Sequence, residues 1–297
     1  MTLGLQYSNA SASDTKTDGS IDTSSSKTSN TTNVTPGDKT SSQSDETSNN
    51  EPRLQGPGPK GKLNYMSISC SSLVKIPCVG TDGNDQMIGD NGINEMSGKR
   101  GNDLMFGRGA DDKMNGNEGI DYMHGEDGAD RMYGGEGRDF MTGGAGNEIV
   151  MDGNEGDDIM YGGDGDDRMN GEAPSGFAVG NDRMDGGAGN DVMDGNAGID
   201  NMIGRAGNDV MAGGEGDDGM NGGAGNDNFY GWKGADTIYG GDGDDKIYHS
   251  NVNNPTLPDG YIDTIDCGPG NDEVVFSGFI DHDTIEGCET TIFDDIT

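Results

Sequence analysis

Residues 162–170 read Gly162-Gly163-Asp164-Gly165-Asp166-Asp167-Arg168-Met169-Asn170, and this nine-residue pattern recurs from Gly80 to Tyr248. Glycine begins each copy, aspartate is usual at the sixth position, and a large apolar residue stands at the eighth. Because the phase is kept, the pattern indicates a repeat architecture whose stacked units share one core. Eighteen copies begin at Gly80, Gly89, Gly98, Gly107, Gly116, Gly125, Gly134, Gly143, Gly153, Gly162, Gly171, Gly186, Gly195, Gly204, Gly213, Gly222, Gly231 and Gly240.

Two copies break the spacing of the array. One gains a residue around Val150–Asp152, and another gains six residues through Glu172–Val179. The sixth-position aspartate is replaced by Asn94 in the copy from Gly89 and by Glu148 in the copy from Gly143, which is also the copy that gains one residue. We expect the insertion of six residues to distort its turn, and the binding sites that involve Asn94 or Glu148 to be irregular, because Asn94 lacks a charge and Glu148 is one methylene longer than aspartate.

The composition sets a strict condition on folding. The 297 residues carry a formal net charge of −37, and only 29% of them are hydrophobic. Such a chain buries too little apolar surface to offset the entropy of ordering unless a partner cancels its charge. Divalent cations are the plausible partner. The acidic excess argues against nucleic acid, whose phosphates attract Lys and Arg, and no apolar run approaches membrane-spanning length.

Composition also divides the chain. Residues 1–12 resemble the end of a secretory signal, because a short apolar stretch is followed by Ala10-Ser11-Ala12; an ordinary unstructured terminus is the alternative. Residues 13–62 are rich in Ser, Thr and Asn and then in Pro and Gly, which predicts a disordered tether. The tether contains the glycosylation sequons at Asn30 and Asn33.

The remaining segments form the array and its two flanks. Residues 63–79 precede the repeats and predict an N-terminal cap, and residues 80–248 are the repeat array. Residues 249–297 keep the aspartate-x-apolar triplet at Asp263, Asp272 and Asp283, which predicts a degenerate coil and a C-terminal cap.

Each repeat predicts a turn followed by a strand. Six residues form the turn, where glycine is needed because tight turns visit positive φ and bring the backbone close to a ligand. The last three form a short strand whose middle residue points inward. Two units then make one coil with a strand on each side, and nine coils about 4.8 Å apart give a rod of roughly 43 Å. The fold class is therefore an all-β parallel β-solenoid of about nine coils.

The array resembles the hemolysin-type, or RTX, calcium-binding nonapeptide proteins, and the resemblance covers residues 80–248 almost continuously. It implies a parallel β-roll with calcium ions between turns stacked on the same side. The aspartates of units n and n+2 then bind one ion, together with backbone carbonyls. The implied ligands are Asp85, Asp103, Asp112, Asp121, Asp130, Asp139, Asp158, Asp167, Asp182, Asp191, Asp200, Asp209, Asp218, Asp227, Asp236 and Asp245.

Charge arithmetic agrees with that implication. Stacked carboxylates about 5 Å apart repel one another without a metal. Pairing each unit with the one two ahead predicts about 16 calcium ions, whose charge of about +32 nearly balances the −37 of the chain. The alternative is a disordered acidic chain in which these aspartates form solvated turns.

The eighth position is mostly methionine from Met87 to Met220, and then Phe229, Ile238 and Ile247. Methionine departs from the Leu, Ile or Val that is more usual in such repeats. Its flexible side chain can fill a narrow core. The alternative, copper binding by thioethers, needs sulfur atoms that solvent can reach.

Four cysteines flank the array in pairs. Because bridged Cα atoms lie within about 7 Å, a rod of this length forbids pairing across it. We therefore predict the disulfides Cys70–Cys78 and Cys267–Cys288, each closing one end of the solenoid. The alternative is that the four cysteines are free thiols or metal ligands.

These features predict a secreted, extracellular, non-enzymatic calcium-binding protein with a structural role at the cell surface or in a matrix. The sequence has no H-E-x-x-H and no G-x-S-x-G motif. Two alternatives stay open: calcium-dependent assembly into filaments, and cell-surface glycan binding through the late aromatic residues Tyr230, Trp232, Tyr239 and Tyr248. A regular outward threonine ladder, as ice binding would need, is missing from the array.

Overall fold

The fold is described from a computed structural model, which describes residues 65–73, 76–172, 180–250, 261–277 and 283–293. The predicted signal segment, the tether of residues 13–62 and its sequons at Asn30 and Asn33 lie outside the described residues. The boundaries assigned to these segments stay predictions.

The described residues form strands and turns. The strands are β1 (Met66–Ser69), β2 (Cys78–Val79), β3 (Asp85–Ile88), β4 (Glu95–Arg100), β5 (Leu104–Gly109), β6 (Lys113–Glu118), β7 (Tyr122–Asp127), β8 (Arg131–Glu136), β9 (Phe140–Ala145), β10 (Val150–Glu155), β11 (Ile159–Asp164), β12 (Arg168–Asn170), β13 (Arg183–Ala188), β14 (Val192–Ala197), β15 (Asn201–Ala206), β16 (Val210–Glu215), β17 (Gly219–Ala224), β18 (Asn228–Lys233), β19 (Thr237–Asp242), β20 (Lys246–Ser250), β21 (Thr264–Asp266), β22 (Glu273–Ser277), β23 (Thr284–Glu286) and β24 (Thr290–Phe293). In this part of the chain no helix is long and apolar enough to cross a membrane.

The strands form two parallel sheets, as the nine-residue period predicts. The odd-numbered strands make one twelve-stranded sheet, sheet A, and the even-numbered strands make the other, sheet B. Each strand pairs with the strand two units away, so that Met123 lies beside Met105 and Met141. This order confirms the all-β parallel β-solenoid with two units per coil.

The solenoid is longer than the nine coils expected from the array. Strands β1 and β2 extend the two sheets at one end, and β21 to β24 extend them at the other, which makes about eleven coils. The sequence predicts caps and a degenerate coil in the two flanks of the array. The strands of both flanks pair in the same register as those of the array. Parallel pairing requires aligned backbones rather than the full nonapeptide, so coils can continue where the motif has decayed.

The strands are also longer than the three residues expected for each unit. Most strands inside the array span six residues, because the ladder continues past the inward apolar residue into the first three positions of the next unit. In β8 the inward residues are Met132 and Gly134, which alternate with exposed or half-buried neighbours. The turn is correspondingly short. The first glycine of each unit is therefore a buried strand residue rather than part of a loop.

The core is a double column of methionine side chains. Fifteen methionines, one from each unit between Met87 and Met220, are at most 2% exposed, and Phe229, Ile238 and Ile247 continue the columns. Identical side chains stack in register on neighbouring strands, so one flexible residue type fills a uniform narrow space. Burial of these thioethers leaves no solvent-accessible sulfur for copper among them.

The two irregular copies are accommodated without losing register. Ile149 is the extra residue of the first, since it lies 40% exposed between Glu148 and Val150 while Met151 points inward. In the second copy β12 ends at Asn170, and the chain rejoins the turn at Gly180.

Both predicted disulfides are present in the structure. Cys70 and Cys78 are bonded, with Cα atoms 5.5 Å apart, and connect the end of β1 to the start of β2. Cys267 and Cys288 are bonded with Cα atoms 5.2 Å apart, just after the neighbouring strands β21 and β23. Each bridge lies at one end of the rod, as expected for caps.

The outward aromatic residues are not confined to the late repeats, contrary to expectation. Tyr230 and Tyr248 do stack on sheet B, with ring centroids 4.8 Å apart, but Tyr239 lies on sheet A. A larger cluster occupies the outer face of sheet A at β5 to β11, which we call the apolar patch. Its half-buried side chains are Leu104, Phe106, Tyr122, His124, Phe140, Ile159 and Tyr161.

Close stacking of the turns predicts a sharp difference between two glycines at the fourth position of their units. A Cβ on Gly137, whose φ is +131°, would lie 1.8 Å from the carbonyl oxygen of Gly119, whereas a Cβ on Gly83 would meet nothing closer than 3.9 Å. We expect Gly137→Ala to lower the free energy of unfolding by about 2 kcal/mol or more. Gly83→Ala is the matched control and should stay within about 0.5 kcal/mol of the parent.

Urea unfolding in saturating calcium measures both variants. Equal midpoints for the two alanine variants would contradict the close stacking of coils at Gly137.

Candidate metal centre

The sixth residues of the units form two rows along the rod, one leading into each sheet. Row one leads into sheet A and contains Asp85, Asp103, Asp121, Asp139, Asp158, Asp182, Asp200, Asp218, Asp236, Asp263 and Asp283. Row two leads into sheet B and contains Asn94, Asp112, Asp130, Glu148, Asp167, Asp191, Asp209, Asp227, Asp245, Asp272 and Glu289.

One carboxylate oxygen of each aspartate is used to hold the row together. The backbone N–H of Asp103 donates to Oδ1 of Asp121 at 2.7 Å, and the N–H of Asp121 donates to Oδ1 of Asp139 at 2.8 Å. The same bond recurs along both rows at 2.6–3.0 Å. Each side chain is therefore fixed by the backbone of the preceding coil, and its orientation does not depend on solvent.

The second carboxylate oxygen is buried without a hydrogen-bond partner. Asp121 and Asp139 are fully buried, and their Oδ2 atoms contact no donor. Leaving a buried charged oxygen unsatisfied costs several kcal/mol, so such atoms mark a position for a cation. In the described residues the set is Asp103, Asp112, Asp121, Asp130, Asp139, Asp158, Asp167, Asp182, Asp191, Asp200, Asp209, Asp218, Asp227, Asp245 and Asp272.

The first glycine of each unit makes room beside that oxygen. A Cβ built on Gly116 would lie 2.1 Å from Oδ2 of Asp121 and 2.7 Å from the carbonyl oxygen of Gly134, one coil further on. Gly204 repeats this arrangement, at 2.2 Å from Oδ2 of Asp209 and 2.7 Å from the carbonyl oxygen of Gly222. Two oxygens thus converge on a space that any side chain would fill. The pair of oxygens beside the glycine suits a small cation that prefers oxygen ligands.

All sixteen aspartates named from the sequence are buried in the two rows. Asn94 and Glu148 keep their places in row two, since their backbone N–H groups donate to Asp112 and Asp167. The insertion after Gly171 was expected to distort a turn, yet Asp182 still joins Asp158 to Asp200 at 2.7 Å on each side. Row one is therefore continuous through the insertion.

Three features of the rows were not predicted from the sequence. The first is their length, because Asp263, Asp272 and Asp283 continue the rows beyond the array, although the aspartate-x-apolar triplet was visible there. The second is Glu172, a buried residue in the irregular copy. Its Oε1 accepts from Gly180 N–H at 2.8 Å and its Oε2 from Ala197 N–H at 2.9 Å, so the carboxylate bonds amides beside the truncated β12.

The third feature is a parallel ladder at the fifth position of the units. The N–H of Asn208 donates to Oδ1 of Asn190 at 2.8 Å, and the N–H of Asn226 donates to Oδ1 of Asn208 at 2.7 Å. These bonds run in the opposite direction to those of the aspartate rows. The frequent Asn or Asp at the fifth position was the available signal, since both side chains satisfy backbone groups in turns.

Burial makes the aspartates of the metal-free rows weak acids. Desolvation raises the pKa of Asp103 to about 6, that of Asp121 to about 7, and those of Asp158 and Asp200 to about 8. Neighbouring carboxylates in the rows add to this rise, and the donated backbone N–H opposes it. The rows therefore hold protons near neutral pH when they hold no cation.

Glu148 is the most perturbed residue of row two. Burial first, and then the adjacent carboxyl of Asp167, raise the pKa of Glu148 to about 9. At neutral pH the metal-free chain therefore carries a protonated acid at this position. A neutral carboxyl is a weaker cation ligand than an aspartate carboxylate, so row two is chemically less uniform than row one.

The arrangement fits calcium bound largely by the backbone. Among the described residues no group of three or more His, Cys, Asp or Glu side chains comes together to hold a metal. The sixth-position carboxylates instead occur singly, most of them beside a carbonyl oxygen of the next coil. Calcium takes six to eight oxygen ligands, including carbonyls, in a flexible geometry.

Comparison with known families agrees with this geometry. The RTX calcium-binding nonapeptide repeat model, which contains four copies of the repeat, matches residues 79–114, 88–123, 115–150, 150–173, 179–202, 194–229, 213–247 and 221–254. Together these matches cover more than half of the chain. The chain belongs to the RTX calcium-binding nonapeptide repeat family. Calcium binding is thus a property of these RTX repeats.

Comparison with individual proteins adds less. One similar solved structure is that of a hyperactive, Ca²⁺-dependent, β-helical antifreeze protein from an Antarctic bacterium, with 17% identity, 75% of this chain and 70% of that chain covered, and a TM-score of 0.35. A likeness at this level does not carry that protein's activity to the RTX chain. No curated protein matches the chain significantly.

The raised pKa values predict that the metal-free fold is more stable in acid. A folded-state pKa above the unfolded value of about 4 means that folding takes up protons, so stability falls as pH rises from about 4 to 8. In calcium-depleted buffer we expect more β-sheet circular dichroism at pH 5 than at pH 8. Constant or rising β-sheet signal across that range would contradict the burial of ionisable rows.

Proposed function

We propose that the protein is a secreted, non-enzymatic calcium-binding β-roll whose folding is driven by extracellular calcium and whose role is structural, at the cell surface or in an extracellular matrix. The observation that carries the proposal is the set of buried, unpartnered Oδ2 atoms, most of which lie beside a carbonyl oxygen of the next coil. Such a row is poorly tolerated without a cation and favourable with one.

The ligands we propose are the sixteen sixth-position aspartates from Asp85 to Asp245, with units n and n+2 sharing each ion and backbone carbonyls completing the shell. The paired oxygens beside Gly116 and Gly204 support this assignment. The expected number of ions is about 16, one for each pair of stacked units. Glu148 and Asn94 are the positions where we expect the weakest binding.

The chain's own residues explain why folding would wait for calcium. At pH 8 the rows bring together ionised carboxylates that repel one another and have lost their water. The backbone N–H bonds to Oδ1 orient each carboxylate but satisfy only half of it. A bound cation would supply the missing charge. The chain would therefore stay unfolded where calcium is scarce and fold where it is abundant.

Several features support a place outside the cell. Two disulfides, Cys70–Cys78 and Cys267–Cys288, belong to an oxidising environment. Calcium modules in extracellular proteins bind at about 10⁻⁴–10⁻³ M, a level that the extracellular fluid supplies. We expect the array to bind in that range.

A calcium titration at pH 8 tests the coupling of folding to calcium. We expect circular dichroism to change from disordered to β-sheet as calcium rises through the millimolar range, and magnesium to be far less effective. Asp121→Asn should raise the calcium concentration at the midpoint, because it removes one buried charge from row one. Asp127→Asn, which changes an exposed aspartate at the end of β7, the strand that follows Asp121, should leave the midpoint unchanged. A full β-sheet signal in chelator at this pH would exclude coupled folding.

Self-association is a second candidate property, and the apolar patch on sheet A favours it. Tyr122 and Phe140 stack with ring centroids 4.7 Å apart, and Phe106 meets His124 edge-on at 6.4 Å. Two such faces could pack sheet against sheet once calcium has reduced the repulsion between two copies. The patch covers only four of the twelve strands of sheet A, so it favours a closed pair of rods over an open filament. Glycan binding through the late aromatic residues Tyr230, Trp232, Tyr239 and Tyr248 stays an alternative.

Sedimentation equilibrium with and without calcium tests this second property. We expect a monomer–dimer equilibrium in calcium that Tyr122→Ser with Phe140→Ser abolishes. The matched control is Tyr230→Ser with Tyr248→Ser, which removes the other stacked aromatic pair from sheet B. A strict monomer at high protein concentration would exclude self-association.

A further inference from the structure

A hidden repeat lies beyond both the regular array and the residues matched by the family model. Residues 267–275 read Cys-Gly-Pro-Gly-Asn-Asp-Glu-Val-Val, with cysteine in place of the first glycine. Gly243 N–H donates to the carbonyl oxygen of Pro269 at 3.0 Å, just as Gly225 N–H donates to that of Asp242 at 2.9 Å. The segment therefore stacks on the array as one more turn of the same kind.

This turn places a further pair of carboxylates in row two. Asp245 N–H donates to Oδ1 of Asp272 at 2.8 Å, the bond that joins aspartates throughout the rows. Asp245 is 2% exposed and Asp272 is fully buried, and the Oδ2 atoms of both have no hydrogen-bond partner. The same unsatisfied chemistry that marks the sites of the array is thus present here.

The carbonyl oxygen of Cys267 takes the place of a glycine carbonyl. A Cβ on Gly240 would lie 2.5 Å from Oδ2 of Asp245 and 2.3 Å from the oxygen of Cys267. One coil earlier, a Cβ on Gly222 would lie 2.1 Å from Oδ2 of Asp227 and 2.6 Å from the oxygen of Gly240. The two pairs of oxygens are arranged alike, except that the carbonyl oxygen of the later pair belongs to a disulfide-bonded residue.

We propose that Asp245, Asp272 and the Cys267 carbonyl hold a further calcium ion at the C-terminal end of row two, and that the Cys267–Cys288 disulfide positions this carbonyl. The inference rests on the proposed calcium binding of the array. It adds a site outside the recognised repeats and couples that site to the redox state of one disulfide.

The disulfide matters here because the coil beyond Cys267 is small. On that side β23 contributes three residues and β24 four, against six in most strands of the array. Cys267 is held to this coil by its N–H bond to the carbonyl of Glu286 at 3.0 Å and by the bond to Cys288. Reduction would leave the carbonyl ligand less well held. By thermodynamic reciprocity, a bound ion would also protect the disulfide from reduction.

The opposite end of the rod differs and provides the control. Oδ2 of Asp85, the first residue of row one, accepts hydrogen bonds from the N–H of Thr81 at 2.5 Å and from its hydroxyl at 3.0 Å. The first carboxylate is therefore satisfied by the protein itself. The Cys70–Cys78 disulfide beside it does not supply a carbonyl to an unsatisfied pair, so its reduction should not depend on a calcium ion of this kind.

The first experiment compares Asp272→Asn with Asp266→Asn. Asp266 is an exposed aspartate of β21, the strand that precedes Asp272 in the chain. Both proteins are held at pH 8 in saturating calcium, and circular dichroism establishes that each is folded. Native mass spectrometry should count one calcium ion fewer in Asp272→Asn and the parent number in Asp266→Asn. In dithiothreitol, the Cys267–Cys288 bond should be reduced about 5-fold faster or more in Asp272→Asn, with Cys70–Cys78 unchanged.

The second experiment removes each disulfide and does not depend on the folding of Asp272→Asn. At calcium concentrations below saturation, Cys267→Ser with Cys288→Ser should bind one ion fewer than the parent. Cys70→Ser with Cys78→Ser should bind the parent number. An unchanged ion count in the first pair, or equal reduction rates in the aspartate variants, would overturn the proposal. If the parent itself shows the same circular dichroism in chelator and in calcium, the proposed function fails instead.

Discussion

The structure depends on the burial of carboxylate oxygens that the protein itself does not satisfy. The aspartates of the rows after Asp85 give Oδ1 to the backbone of the preceding coil, while most Oδ2 atoms lie beside a glycine and a carbonyl oxygen of the next coil. Without a cation this arrangement raises the pKa values of the aspartates and makes the fold unfavourable at neutral pH. With calcium bound as we propose, the same oxygens would become ligands, so that a chain with a net charge of −37 could be compact.

The recurring glycine and methionine residues of each unit follow from the close stacking of the aspartate rows. Coils that share oxygen ligands must stack closely, and a Cβ at Gly119 or Gly137 would lie 1.8 Å from the carbonyl of the coil before it. The narrow space that remains between the two sheets is filled by one column of methionines on each side. A flexible side chain suits a core of this shape because it adapts to small offsets, such as the extra residue at Ile149.

The two ends of the rows are closed by different chemistry. At the start, Thr81 satisfies Asp85 with its backbone and its hydroxyl. At the other end, Asp272 stays unsatisfied beside a carbonyl that a disulfide holds. The ends of a solenoid are its weakest parts, since they have a neighbour on one side only. Binding an ion at the last turn would therefore stabilise the end coil, which has a neighbour on one side only.

The sequence alone determined the period of nine, the two-unit coil, the inward methionines and the sixteen sixth-position aspartates. In a strictly periodic chain, the position of a residue within its repeat also fixes its place in the stacked fold. The cysteine pairs followed from the length of the rod. Only the tertiary structure decided the number of coils, because β21 to β24 pair through their backbones after the motif has decayed. It also brought Phe106, Tyr122 and Tyr161 into one patch, since residues far apart in the chain become neighbours only when every second unit stacks. The role of Cys267 was likewise hidden, because a carbonyl ligand leaves no trace in the identity of the side chain.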